Sequence, residues 1–237
     1  MPPSTSPGRV QVVVARYRED VSWLEELGLP SVVYDKSGEP GPNALPNVGR
    51  EAHTYFWHLA YTYPDFAEYT VFLQGSPLPH LEWGAVAELQ KLVTDAVRSE
   101  AGFKGLARYR LRCDGLGRPH DMRDPAKQGQ WAGWGKDIPV AETYATLFKG
   151  KVPETFIARG AAGLFVVRRE RILVRPREFY LLGLALTEAD PRDENNTGHA
   201  LERLWQVAFN GSPAINRDDY AERLAEVQAR IQAGRGR

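Results

Sequence analysis

Residues 47–80, NVGREAHTYFWHLAYTYPDFAEYTVFLQGSPLPH, decide the fold. The stretch reads as loop, amphipathic helix, short turn, buried strand and polar elbow. Ala52, Tyr55, Phe56, Leu59 and Ala60 recur at i, i+3, i+4, i+7 and i+8, which puts their apolar side chains on one helical face. Pro64 and Asp65 end that helix. Tyr69, Thr70, Val71, Phe72 and Leu73 are β-branched, aromatic or aliphatic and predict a strand. Gln74, Gly75, Ser76 and Pro77 break it where polar side chains emerge. In parallel α/β sheets, ligands bind beyond the carboxyl ends of strands. The segment 74–80 and the loop carrying Asn47, Gly49, Arg50 and Glu51 are therefore the first candidates for a site.

Upstream, residues 10–15 form a strand apolar enough to be covered on both faces. Ser22 then opens a helix, with Glu25 three positions on as a capping box, and Gly28 and Pro30 close it. Residues 31–34 are a second strand, followed by Asp35, Lys36 and a Pro/Gly-rich loop. The order β-α-β-loop-α-β argues for a mostly parallel central sheet flanked by helices and joined by right-handed crossovers. Downstream, residues 81–97 read as a long helix with Trp83, Val86, Leu89, Val93 and Val97 on one side. Residues 101–136 lack periodicity and read as a long functional loop. Helices are expected over 140–148, 176–186, 199–209 and 218–231, and strands over 155–158 and 163–167. The expected organisation is a disordered tail, 1–9, a single α/β domain, 10–232, and a basic tail, 233–237.

The chain has 237 residues, 43% of them hydrophobic, and a formal net charge of zero. Neutrality gives no support for a nucleic-acid or membrane-surface partner. No apolar run approaches the ~20 residues of a membrane-spanning helix. The start, MPPSTSPGR, lacks the apolar core of a secretory signal. Cys113 is the one cysteine, so no intrachain disulfide forms, which fits a cytoplasmic setting.

Three strand ends collect polar side chains: Arg16, Tyr17, Glu19 and Asp20; Asp35 and Lys36; Gln74 to His80. Carboxylates at such a rim meet ribose hydroxyls or a metal, and Arg16 and Lys36 can face phosphates. Arg50 stands at a helix start, where backbone N–H groups also favour anions. Glu51 pairs with Arg50 or accepts a sugar hydroxyl. The plainer alternative is that both only cap the helix. His53 and His58 read as packed side chains. His80 leaves the elbow and is a candidate acid, base or metal ligand. His120 and Asp121 could serve as base and orienting acid, and Glu202 as a general base or a partner for Arg203 or Arg168. Walker A, G-x-G-x-x-G, G-x-S-x-G and H-E-x-x-H motifs are all missing.

The sequence resembles a family catalogued as a domain of unknown function. Its hallmarks are matched by Arg16-Tyr17-x-Glu19-Asp20-x-Ser22-Trp23-Leu24, Tyr34-Asp35-Lys36-x-Gly38, Asn47-x-Gly49-Arg50-Glu51-x-x-x-Tyr55, Phe72-Leu73-Gln74-Gly75 and Glu202-x-x-Trp205. Residues 12–20, 47–51 and 163–170 also resemble segments of GT-A glycosyltransferases, the last being the strand that lines the acceptor side. Thr70 to Ser76 stands where those enzymes carry a metal-binding D-x-D, and both aspartates are lacking. The resemblance implies a GT-A-like fold and transfer of a sugar from a nucleotide-sugar donor to a small-molecule or glycan acceptor. It implies nucleotide and diphosphate contacts from Arg16, Tyr17, Glu19, Asp20, Asp35, Lys36, Asn47, Gly49, Arg50, Glu51, Gln74 and Gly75. Glu202, Asp121 and His80 are the catalytic candidates. For the cofactor it leaves two alternatives open: Mn²⁺ or Mg²⁺ held by His80 or Asp35, or a metal-independent reaction in which basic side chains hold the diphosphate. Two other readings stand beside it: a non-catalytic nucleotide- or carbohydrate-binding protein, and a metal-dependent hydrolase or other transferase built from His80, His120, Asp121 and His199.

Overall fold

The computed structural model describes residues 8–119, 137–210 and 217–235. Its centre is β1 (Val10–Arg16), paired in parallel with β2 (Ser31–Asp35) on one side and with β3 (Tyr69–Gln74) on the other. The chain therefore passes from β1 to one neighbour and then crosses back to the opposite one. With right-handed connections this puts α1 (Trp23–Leu27) and α2 (Arg50–Thr62) on opposite faces. It also puts a topological switch point, the usual place of a ligand crevice, at the carboxyl ends of β1 and β3.

Two further strands correct the expectation of a mostly parallel sheet. The order is β2-β1-β3-β7-β4, in which β7 (Phe165–Arg168) is antiparallel to both β3 and β4 (Phe103–Gly105). β4 consequently points the same way as β1 to β3, and β7 alone is reversed, so the sheet is mixed. Gly105 pairs with Phe165, and the Leu106 N–H donates to the Leu164 carbonyl at 2.9 Å. A separate two-stranded ribbon joins β5 (Leu111–Cys113) to β6 (Phe156–Ala158).

The alternation of β-strand side chains divides the apolar residues between two cores. Val12, Val14, Val71 and Leu73 face α1 and α3 (Val86–Arg98). Val13, Ala15 and Phe72 face α2 and a second helical layer. That layer comprises α4 (Val140–Leu147), α6 (Arg177–Ala189), α7 (Thr197–Glu202), α8 (Trp205–Phe209) and α9 (Arg217–Arg235); the single turn α5 (Arg169–Ile172) follows β7. Every residue of the apolar stripe on α2 is at most 1% exposed. Gly183 lets α6 approach α2 closely, because a Cβ there would overlap the Phe56 ring.

Local signals explain the shifted boundaries. The Ser22 hydroxyl donates to Asp20 at 2.9 Å and caps nothing, so the capping box with Glu25 does not form. Gly28 does end α1 in a left-handed conformation, φ 66°. The helix expected over 81–97 begins only at Val86, after a 3₁₀ turn at Leu78–His80 and a bend at Gly84, φ 67°. The Glu88 carboxylate reaches back to the N–H groups of Glu82 and Trp83 at 3.0 and 2.8 Å, and Trp83 is exposed rather than inward. Part of the expected loop 101–136 is β4 and β5, and its residues 120–136 lie outside the described set. The helix expected over 199–209 is broken into α7 and α8, and α6 runs on to Ala189.

Candidate functional site

The rim of the crevice follows the order of the strands. Asp35 ends β2, Arg16 ends β1 and Gln74 ends β3. β7 is reversed, so its beginning lies on this same edge, preceded by the turn Ala161–Gly163; the end of β4 completes the row and leads to Arg108 and Tyr109. Arg16 and Asp35 are paired strand neighbours, and their side chains form an ion pair. The Gln74 amide donates to the Ala162 carbonyl at 3.3 Å.

Two carboxylates meet at that turn. Ala162 and Gly163 both hold positive φ, 59° and 65°. The Ala162 N–H donates to Glu202 Oε1 at 2.5 Å. Glu51, from the first turn of α2, packs so closely on Gly163 that a Cβ there would lie 2.8 Å from its Cγ. Beneath them the Tyr55 hydroxyl donates to the Gly163 carbonyl at 2.9 Å. The Glu51 and Glu202 side chains are largely buried but keep 13% and 12% exposure.

Their surroundings act in opposite senses. Burial, reinforced by the charge of Glu202, raises the Glu51 carboxyl above its usual range. Burial works on Glu202 too, but the hydrogen bond from His199, the Arg203 charge and the Ala162 N–H outweigh it and hold Glu202 below its usual range. His199 bridges backward, with Nδ1 3.6 Å from Glu202 and Nε2 3.9 Å from Asp193. Asp193 in turn accepts from the Gly198 N–H at 2.7 Å and lies 4.0 Å from the Arg50 guanidinium. The two carboxyls are thus driven apart, the pattern seen where paired acids take opposite proton duties.

His80 and Tyr109 close the far side. The His80 Nδ1 lies 3.1 Å from the Tyr109 hydroxyl, and the Arg108 N–H donates to the His80 carbonyl at 2.9 Å. Both rings feel the charge of Glu202; burial lowers His80 and raises Tyr109.

Several of the other expected residues hold the frame. The Glu19 carboxylate accepts from the N–H groups of Tyr17 and Arg18 at 2.6 and 3.1 Å and lies over Gly75, whose carbonyl accepts from the Trp23 indole at 3.0 Å. Asp20 holds Ser22, while Tyr17 and Asn47 are exposed. Lys36, expected to face phosphate, is buried instead. Its ammonium donates to the carbonyls of Val48 and Arg50, and burial lowers it to about 8. It ties the end of β2 to the start of α2. Gly49 sits left-handed, φ 58°, where a Cβ would overlap Thr187. His53 and His58 are buried, the latter 3.1 Å from the Tyr34 hydroxyl and lowered by burial to about 4.

Asp121 and His120 lie outside the described residues. Among the described residues, no group of three or more His, Cys, Asp and Glu side chains could hold a metal ion. The positions of the D-x-D carry Gln74, Gly75 and Ser76; the Glu19 carboxylate over Gly75 is engaged by the N–H groups of Tyr17 and Arg18, and Asp35 by Arg16 and by the Ser37 N–H at 2.7 Å. These residues do not fit a metal. A separate cavity of about 650 Å³ lies between α1, α3 and the start of β1, lined by Leu27, Leu29, Val93, Val97, Arg9 and Arg98, and shares no residue with the crevice.

The sequence pointed to Glu202 and Glu51 separately but not as a pair, and it missed Asp193 and the role of Tyr109. The Gly160-Ala161-Ala162-Gly163 run was the available signal for the turn that joins them.

Fold and site together define an α/β protein with a paired-carboxylate crevice at the carboxyl edge of its sheet. Residues 12–223 match the family model described as "Protein of unknown function (DUF3431)", and the chain belongs to that family. Comparison with the curated proteins finds no match, and comparison with the solved structures finds none either. No described helix is long and apolar enough to cross a membrane.

Proposed function

We propose that this chain transfers a sugar from a nucleotide-sugar donor to a hydroxyl-bearing acceptor, with Glu202 as the base. The observation that carries the reading is the Glu51–Glu202 pair on the turn before β7, one carboxyl raised above its usual range and the other held below it. The placement of that turn supports the resemblance to GT-A enzymes, in which the corresponding segment lines the acceptor side. In this reaction Glu202 takes the proton of the acceptor hydroxyl while the hydroxyl oxygen bonds to the anomeric carbon. The bond from that carbon to the diphosphate oxygen breaks, and its electron pair leaves with the nucleoside diphosphate. Arg16 and Arg50, on the β1 and α2 side, face the charge that grows on the leaving group. Glu51 hydrogen-bonds a hydroxyl of the donor sugar.

The test is release of nucleoside diphosphate from a panel of nucleotide-sugars, with and without Mn²⁺ or Mg²⁺. Turnover should fall by about 10²–10⁴-fold in Glu202→Gln, the scale of a lost general base. Failure to bind any nucleotide-sugar or nucleoside diphosphate overturns the proposal. A second reading, a binding protein without turnover, is favoured by the Gln74-Gly75-Ser76 replacement of D-x-D. Donor binding without diphosphate release identifies it.

A further inference from the structure

Trp83 is 75% exposed, the most exposed of the large apolar side chains described. Single exposed apolar residues are ordinary on protein surfaces. Three observations separate this one. First, its backbone is fixed: the N–H groups of Glu82 and Trp83 both donate to the Glu88 carboxylate, and Leu81 beside them is 1% exposed. The indole is thus held out in solvent by an anchored segment. Second, the segment folds back on the turn that carries His80, since a Cβ on Gly84 would lie 3.5 Å from the Leu78 carbonyl. Trp83 is three residues from His80, so their Cα atoms are at most about 11 Å apart. Third, His80 is packed edge-on to Tyr109, ring centroids 6.2 Å apart, and both feel the charge of Glu202.

From these we infer that Trp83, Tyr109 and His80 form an acceptor subsite for a saccharide ring. A pyranose has an apolar C–H face and a rim of hydroxyls. An open indole matches the face, while the Tyr109 hydroxyl, the His80 imidazole and Glu202 match the rim. The subsite lies toward β4, across the reversed strand from the Arg16–Asp35 pair, so donor and acceptor enter from opposite ends of the crevice with Glu202 between them. The inference rests on the sugar-transfer reading for its direction: it makes the acceptor a glycan.

The test is calorimetry of the full chain with soluble cello-, xylo-, manno- and chito-oligosaccharides, alongside nucleoside diphosphates and nucleotide-sugars. Trp83→Ala should raise the Kd of the bound oligosaccharide about tenfold, the equivalent of one lost stacking contact. Trp83→Phe should restore most of it, and the nucleotide Kd should not move. Unchanged oligosaccharide affinity in Trp83→Ala overturns the subsite, as does a loss confined to the nucleotide, which would make the indole a base platform. If nucleotide-sugars bind and no oligosaccharide does, the subsite fails while sugar transfer stands. If an oligosaccharide binds through Trp83 but no nucleotide does, sugar transfer fails and the saccharide site remains.

Discussion

Glu51 and Glu202 bring the same chemical group to one turn, and what differs is the company each keeps. Glu202 has His199, Arg203 and a backbone N–H; Glu51 has burial and the charge of Glu202 against it. The raised Glu51 has a consequence for stability. The folded state holds that proton more tightly than the unfolded chain. The resulting stabilisation is fully present below the ordinary carboxyl value of 4.5 and is lost as pH rises through the higher value of the folded protein. Gln cannot ionise, so Glu51→Gln should unfold at a higher temperature than the parent at neutral pH, with the gap closing toward pH ~4. Thermal scans across that range check it, and a gap that stays constant with pH argues against a raised Glu51. The rim residues Arg16, Asp35 and Gln74 were legible because strand ends in an α/β pattern are marked by polar punctuation. The pairing of Glu51 with Glu202 was not, because it depends on contacts between residues far apart in the chain.

Elements were legible where periodicity and punctuation agreed. The stripe on α2 and the Gly28 stop of α1 are of this kind. The start of α3 was not, because the apolar spacing from Trp83 continues the helical pattern while the left-handed Gly84 interrupts the backbone. The reversed direction of β7 was also hidden, since a short apolar strand reads the same whichever way it pairs. The α2–α6 contact offers the sharpest test at this scale. A methyl group on Gly183 has no room beside Phe56. Gly183→Ala should therefore lower stability by about 1–3 kcal/mol, despite the better helix propensity of alanine. Denaturant unfolding measures this; a stabilised variant would show that the two helices are farther apart than described.

Across the whole molecule, protection should follow strand position. β1 and β3 are each paired on both sides and covered by a core on both faces, whereas β2 and β4 are edges. Amide hydrogen exchange should accordingly be slowest in β1 and β3 and faster in β2 and β4. Equal protection across the sheet would contradict the order β2-β1-β3-β7-β4. That order also holds the two halves of the site together. Residues 106 and 164 are hydrogen-bonded neighbours, so the described residues between them leave and return through one doorway. The detour is no loose appendage, because Tyr144, Leu147, Phe148 and Phe156 on it are buried in the core shared with α2 and α6. Tyr109 stands just beyond the way out and the turn Ala161–Gly163 just before the way back, so a single backbone hydrogen bond pins the far wall of the crevice beside the seat of the carboxylate pair.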